Sequence, residues 1–430
     1  MIKLPVCFKL ISTMAYICDL HIHSRYSRAC SKDLTLENID RWAKIKGIDI
    51  VGTGDFTHPA WFKELASQLE EAHPGLFRLK KSSAGTLFLL SSEISCIYTQ
   101  GGRMRRLHIC LLAPNLEFVT KLIRALENKG ANLKADGRPI IGLSAKELFK
   151  ICLDIDEKHL TVPAHAWTPW FAIFGSKSGF DSIAECYEEL TDRIYSVETG
   201  LSSDPPMNWR LSGLDNITLV SNSDAHSLPN LGREANVLEL TQPSYSEIYD
   251  IIKSKNQKKF LYTIEFFPEE GMYHFDGHRE CKVSFSPDQT KKRQGICPQC
   301  QKPLTIGVLN RVDNLADRKK EGIDKNKFIP YKSLIPLQEI IADVLGVGKQ
   351  SKKVQAEYFN LIKAGQNEFN ILINLSQEQL EAITYPKIAA GIIKTRQGQV
   401  KLIPGFDGQY GKIEIFPEAE KGADQQIIMF

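Results

Sequence analysis

The sequence has no apolar run long enough to cross a bilayer, no internal repeat and no low-complexity tract. A helical span needs about 20 apolar residues, so a membrane-spanning protein is not expected and no membrane partner is implied. Charge of one sign is lacking too: 54 Lys and Arg stand against 51 Asp and Glu, a net of +3. Without a global basic field, any surface for nucleic acid must be built from local clusters. A disulfide framework is also missing, although there are ten cysteines. Cys96, Cys110, Cys152 and Cys186 lie singly inside apolar stretches, where a thiol acts as a small hydrophobe. Only Cys281, Cys297 and Cys300 cluster, a usage that fits a reducing cytoplasm.

What is present is the composition of a soluble globular chain, 43% hydrophobic and 24% charged. At 430 residues it is long enough for two or three cores. Pro5 and Lys9 interrupt the apolar opening, so residues 1–13 are expected to be a dispensable extension ahead of Met14, not an export signal. Residues 14–265 alternate short apolar runs with helical periodicity. Strands are expected at 17–22, 48–52, 86–91, 107–112, 160–163, 194–198 and 218–221, and helices at 36–46, 118–129, 145–154 and 180–190. Seven strands separated by helices predict an α/β barrel, a fold that gathers its active site at strand ends. Residues 266–312 are turn-rich, carry the clustered cysteines and have more Lys and Arg than acids. Residues 313–430 are mainly helical (333–345, 352–363, 377–385) and include a hairpin, 400–403 with 412–416, around Gly405-Phe406-Asp407-Gly408.

The residues that carry chemistry recur at those strand ends. Asp19-Leu20-His21-Ile22-His23 sets two imidazoles two apart, on one face of a strand end, where both can reach one ion. Asp55 and His58 follow the next strand, Glu93 the third, and then come His108, His165, Asp224 and His226. Taken singly, a strand-end histidine is an ordinary hydrogen-bonded residue. Recurrence on successive strand ends reverses that balance, because a barrel converges those ends on one mouth. Nine donors exceed the need of one ion, so two or three divalent metals are implied. Mixed imidazole and carboxylate donors suit zinc, manganese, magnesium or iron. Such ions make hydroxide available near neutral pH and neutralise phosphate oxygens, and Asp55 or Asp224 could orient the nucleophile.

This constellation resembles the polymerase and histidinol phosphatase (PHP) family over residues 16–240. The resemblance implies a distorted (β/α)7 barrel, a multinuclear site and phosphoesterase chemistry. It departs from the family where a further His or Asp often follows His-x-His. This chain has Arg28-Ala29-Cys30, with Cys30 or Asp33 as substitutes.

A second site is expected from His278-x2-Cys281 and Cys297-Pro298-Gln299-Cys300, whose knuckle spacing reads as a closed structural zinc. Residues 266–312 are therefore expected to be a small zinc-binding module. Its basic loop, Lys291-Lys292-Arg293, would face a phosphate backbone. Gly346-Val347-Gly348-Lys349, with Lys352 and Lys353, has the form of a helix-hairpin-helix turn, in which backbone amides approach a phosphate, and equally that of a simple helix–Gly–helix connection. Arg25, Arg28, Arg103, Arg105 and Arg106 stand close to the metal motifs, and Trp167, Trp170 and Phe171 beside His165 could stack on an extruded base.

Longer stretches, among them Cys18–Ser24, Gly52–Pro59, Ala164–Trp170, Val197–Pro205, Ser221–His226, Gly232–Asn236 and the zinc knuckle leading into Leu304–Leu309, resemble the endonuclease Q family. That resemblance implies a DNA repair endonuclease that nicks 5′ of deaminated bases (uracil, hypoxanthine, xanthine) and of abasic sites, in double- or single-stranded DNA. The implied place is the cytoplasm, at the nucleoid. A PHP phosphatase for a small monoester needs only the barrel, and a DNA-binding adaptor without catalysis needs no complete ligand set. The closing Gln425–Phe430 could dock on a sliding clamp, with a frayed terminus as the alternative.

Overall fold

The computed structural model describes residues 14–82 and 85–416, so both the expected N-terminal extension and the possible clamp peptide lie outside the described residues. The first strands in chain order are β1 (Met14–Asp19), β2 (Ile50–Gly52), β3 (Leu69–His73), β4 (Leu76–Leu79), β5 (Leu87–Leu89) and β6 (Ser91–Gln100). Next come β7 (Arg103–Leu112), β8 (Ile140–Ile141), β9 (Leu160–Pro163), β10 (Ser196–Glu198), β11 (Thr218–Val220), β12 (Ala235–Leu240) and β13 (Phe260–Glu265). The last are β14 (Asp276–His278), β15 (Val283–Phe285), β16 (Tyr331–Ser333), β17 (Lys401–Ile403) and β18 (Lys412–Glu414).

Every expected strand forms, but the ladders do not run round one continuous barrel. They make an eight-stranded mixed sheet, β16-β13-β12-β1-β2-β5-β4-β3, a four-stranded sheet, β8-β6-β7-β9, and the pairs β10-β11, β14-β15 and β17-β18. Parallel pairing of β1 with β2 and of β2 with β5 brings their C-terminal ends to one side. An isolated parallel bridge, Ile22 with Ala225, fastens the end of β1 to the chain after β11. β6 and β7 form a hairpin from Ser91↔Leu112 to Gln100↔Arg103, turned by Gly101 and Gly102 at φ 62° and 71°. Positive φ at both turn residues matches the twist of the flanking strands.

The helix Leu36–Lys46 has the expected bounds, with the Thr35 side chain capping Asn38 N–H and Gly47 closing it in the left-handed conformation. The helix Pro59–Gln68 was not expected; Pro59 opens it, with no side-chain cap. At the other end, residues 331–333 join the large sheet as β16, and the helix expected from 333 begins at Leu337 after Pro336. The helices Lys352–Gly365, Gln377–Glu381 and Pro386–Arg396 follow. Phe275 bridges to Phe406, and Gly408 N–H donates to the Met272 carbonyl (3.0 Å), so the closing hairpin packs back on the cysteine-bearing segment.

The C-terminal helices share a core with the helix Leu36–Lys46 near the start of the chain. One buried cluster joins Ile39, Trp42 and Ala43 to Leu337, Tyr358, Phe369 and Ile388. Within it Lys46 Nζ meets Glu368 Oε2 at 2.7 Å, with side chains 4% and 5% exposed. Tyr358 OH donates to the same carboxylate at 2.6 Å, and Leu337 N–H donates to its other oxygen at 3.0 Å. Gly47 abuts Asn367 so closely that a Cβ there would overlap its side-chain amide. Removing one member of a buried pair strands the other charge, at a cost of about 3–5 kcal/mol. Glu368→Ala is therefore expected to lower the denaturation midpoint of the whole chain in one transition. Separate melting of the C-terminal helices, with the rest unaffected, would contradict a shared core.

Candidate metal centre

His21 and His23 leave β1 with their backbone held by the opposite loop: Asp224 N–H donates to the His21 carbonyl (2.9 Å) and His23 N–H to the Ala225 carbonyl (3.1 Å). Asp19 fixes that loop, accepting from Ser223 N–H (3.0 Å), Ser223 OH (2.6 Å) and Gly232 N–H (2.9 Å). Three site residues sit at positive φ, Asp55 at 48°, His165 at 31° and Asp224 at 46°. Such backbone is strained for non-glycine residues and persists where surrounding contacts over-determine it.

Two donor groups result. His21, His23, Glu93 and Asp224 place ligand atoms within 4.8 Å of one another, as do Glu93, His108 and His165. Glu93, fully buried on β6, belongs to both. Its Oε1 lies 2.9 Å from His108 Nδ1 and 3.1 Å from His165 Nε2, and its Oε2 lies 3.4 Å from His23 Nε2. Asp224 Oδ1 lies 3.0 Å from His23 Nε2 and 3.8 Å from His21 Nε2.

These donors fit divalent ions. His21 Nε2, His23 Nε2 and Asp224 Oδ1 are buried without a hydrogen-bond partner, all directed at the cluster, and unpaired buried polar atoms are costly unless something satisfies them. Burial pushes the His108 imidazole down to about 4, against the pull of Glu93; at His21, His23 and His165 burial acts in the same direction, but the buried carboxylates beside them outweigh it and raise the imidazoles. Burial alone would raise the Glu93 carboxyl, but His108 and the Arg138 guanidinium hold it well below the ordinary range.

The remaining ring nitrogens are held from behind. Glu198, at the end of β10, contacts His21 Nδ1 at 3.0 Å and accepts from His165 N–H (2.8 Å) and Asn222 Nδ2 (3.0 Å). Asp55 stands behind His23, with Oδ1 3.0 Å from Nδ1 and Oδ2 taken by Ser24 N–H, Ser24 OH and Ser27 OH. Carboxylates placed this way fix the tautomer and raise ligand basicity. Sequence reasoning missed Glu198, although it obeys the same strand-end rule, and Arg138, which lies in a loop with no periodic signal.

The structure leaves other expected residues outside the two groups. His58 stacks on Tyr26 with ring centroids 4.5 Å apart. His226 lies beside the centre, its ring 4.6 Å from that of His23 and its side chain 31% exposed. Cys30 is half-buried and Asp33 turns to Ser31; Ser27 OH occupies the space behind His23, 3.2 Å from Nδ1.

Two residues expected at DNA are engaged elsewhere. Trp167 is buried and donates to Asn208 at 2.7 Å, filling the core. Arg105 donates to the Gly179 carbonyl and covers the Phe180 ring at 4.0 Å. Arg25 pairs with Glu64 at 2.6 Å, while Arg28 is largely exposed, 3.7 Å from Asp136. Trp170 is exposed and meets Tyr273 edge-on at 5.6 Å; Phe171 lies 4.6 Å from the His108 ring, with Arg106 5.9 Å above it. Arg103, Lys292, Arg293, Lys352 and Lys353 are exposed, while Lys291 reaches Asp313 (3.5 Å) and Lys349 reaches Glu339 (3.2 Å).

Elsewhere, the donors of His278, Cys281, Cys297 and Cys300 gather within 4.8 Å on the β14-β15 hairpin and the Cys297–Cys300 turn. One imidazole and three thiols at that spacing fit a tetrahedral zinc.

The MJ0043 C-terminal domain family matches residues 336–399. Uncharacterized protein MJ0043 of Methanocaldococcus jannaschii is 34% identical over 293 residues, 66% of this chain; the chain matches only 36% of that relative's length. Uncharacterized protein YqxK of Bacillus subtilis is 29% identical over 415 residues, 92% of this chain and 98% of its own. The crystal structure of the lesion-specific endonuclease PfuEndoQ from Pyrococcus furiosus superposes with a TM-score of 0.84 at 32% identity, covering 95% of this chain and 97% of that one. A structure of endonuclease Q with a 27-mer duplex substrate carrying an abasic lesion at the active site gives 0.83 at 32% identity, covering 96% and 100%. With a third of its sequence and nearly its whole fold in common with those two structures, this chain belongs to the endonuclease Q family.

Proposed function

We propose that this protein is a metal-dependent DNA repair endonuclease that hydrolyses the phosphodiester 5′ of deaminated bases and abasic sites. The observation that carries the reading is the pair of donor groups joined at Glu93, with orphaned buried atoms directed inward. Family membership supplies the substrate class. On this reading residues 14–265 act as a distorted seven-stranded barrel, supported by the convergence of β1, β2, β6, β9, β10 and β11 on the donors. Residues 266–312 act as a zinc module and 313–430 as a DNA-binding region. Among the described residues no helix is long and apolar enough to cross a membrane, which suits an enzyme working at the nucleoid in the cytoplasm.

Two or three divalent ions, when bound, supply hydroxide near neutral pH and offset charge on the phosphate oxygens. The protein's part is to hold His21, His23, Glu93, His108, His165 and Asp224 as donors, with His58 and His226 at the margin. Glu198 and Asp55 keep His21 and His23 in the tautomer that turns Nε2 inward. Asp224, with its side chain 24% exposed where Glu93 is buried, orients the attacking water on this reading. Trp170, Phe171, Arg106, Arg28 and the basic turns at 291–293 and 349–353 receive the DNA. A sliding clamp is a further partner on this reading.

The test uses end-labelled duplexes carrying uracil, hypoxanthine or an abasic site, with manganese or magnesium. A single nick 5′ of the lesion is expected, and Asp224→Asn should abolish it while leaving DNA affinity nearly unchanged. Intact lesion duplexes alongside turnover of a sugar phosphate would overturn the reading.

A further inference from the structure

Arg138 is the cation built into the centre, and its position is imposed from several sides. Its Nη1 donates to Glu93 Oε2 at 2.9 Å, on the carboxylate common to both donor groups. The loop that carries it is tied down: Asp136 Oδ1 accepts from Arg138 N–H and from Arg28 N–H, both at 3.1 Å, and Gly137 N–H donates to the Tyr26 carbonyl at 3.1 Å. Gly137 lies so close to Asp55 and Ser27 that a Cβ would overlap both side chains, so only glycine lets this loop approach. Glu93 is wholly buried, whereas the Arg138 side chain is 25% exposed, beside Asp224 at 24% and His226 at 31%. The guanidinium therefore reaches from the buried shared carboxylate to partly exposed surface, where a phosphate can meet it.

A guanidinium has five N–H donors in a planar fork that matches phosphate oxygens. One contact to Glu93 leaves the fork able to present its other edge outward. We propose that Arg138 is a catalytic residue that binds a non-bridging oxygen of the scissile phosphate and stabilises the charge gathering there during displacement. This inference rests on the phosphodiesterase reading above. In the step itself the water oxygen bonds to phosphorus, having given up a proton to solvent, while the bond to one ester oxygen breaks. That oxygen leaves with the electron pair and takes a proton from solvent. Arg138 neither gives nor accepts a proton; it stays charged throughout.

The competing role is a counter-charge that only holds Glu93, and the two differ in what they disturb. Arg138→Ala and Arg138→Lys are compared with the wild type for single-turnover nicking of an abasic duplex, bound-metal stoichiometry and affinity for that duplex with no manganese or magnesium added. Loss of one preorganised donor costs about 10²–10³ in rate. Both variants are expected to fall by about that factor at saturating DNA, with metal content unchanged and affinity without added metal weakened. Sulfur at one non-bridging position of the scissile phosphate should slow the wild type but add little further loss in Arg138→Ala. Full activity in Arg138→Lys, or metal loss that accounts for the slower rate, would overturn the inference and leave Arg138 as a positioning residue. A wild type that nicks no lesion duplex would sink the phosphodiesterase reading itself, a result that these variants cannot produce.

Discussion

Glu93→Ala is expected to lower nicking of lesion duplexes by at least about 10³-fold. Divalent ions contribute several kcal/mol of charge stabilisation to ester cleavage, and each 1.36 kcal/mol is about a factor of ten in rate. Glu93 Oε1 reaches His108 and His165, and its Oε2 reaches His23 and Arg138, so a single side chain completes both donor groups. Truncating it also leaves Arg138 without its anionic partner at the mouth. Bound metal, measured by mass spectrometry on the purified variant, should fall together with the rate. The fold should survive, because the strand pair β6-β7 is held along its whole length by backbone bonds. A variant that keeps its metals and nicks within tenfold of the wild type would mean that Glu93 does not join the two groups.

Cys297→Ser, or removal of the proposed zinc by a chelator, is expected to unfold the segment around β14 and β15 while leaving the eight-stranded sheet folded. The apolar core of that segment consists of Val283, Cys297 and Leu304, with Cys281, Phe285 and Cys300 packed against it. Half of that set is the thiols themselves. A cluster this small cannot offset the conformational entropy of the chain around it, whereas a structural zinc adds about 10–16 kcal/mol of binding energy to folding in zinc-finger peptides at pH 7. Hydrogen exchange measured before and after chelation checks this. Amides of Asp276–His278 and Val283–Phe285 should lose protection, and those of β1 and β12 should keep it. Unchanged protection in the hairpin would show that the hairpin does not need an ion. The contact between Trp170 and Tyr273 would be lost with the segment, so chelation should also weaken binding of lesion DNA.

The sequence revealed the donors better than their duties. His21 and His23 come together because two residues at i and i+2 beyond a strand share a face, and His165 and Asp224 also follow strands; Glu93 and His108 instead lie within β6 and β7, where the strand-end rule alone does not place them. Spacing carries no information about which side of an imidazole a carboxylate will occupy, so Asp55 read as a ligand although it lies behind His23. Glu198 was overlooked for the converse reason: one carboxylate on a short strand looks ordinary until His21 is seen against it. Arg105 and Trp167 have the composition of a DNA-binding surface, but Phe180 and Asn208, remote in sequence, draw them inward. β12 was missed because five of its six residues are buried, so it shows no alternation to read. The gathering of His278, Cys281, Cys297 and Cys300 was the most legible feature, since these donors lie close in sequence and their spacing is nearly the whole geometry.

The continuous core from Ile39 to Ile388 has a consequence for the timing of synthesis. β1 has β12 as one neighbour in the sheet, and the helix bearing Trp42 is covered by helices that begin at Leu337. At about 5–20 residues per second on the ribosome, tens of seconds separate the emergence of β1 from that of its last covering helix. During that interval the edge of β1 and the apolar face around Trp42 are open to solvent and to other chains. Nascent chains stalled before residue 337 should therefore recruit chaperones and resist protease poorly, and compaction of the core should come late and in one step. An enzyme assembled this way cannot display a half-finished metal centre: His21 and His23 are translated early, but the loop that holds their backbone arrives with Asp224 and Ala225.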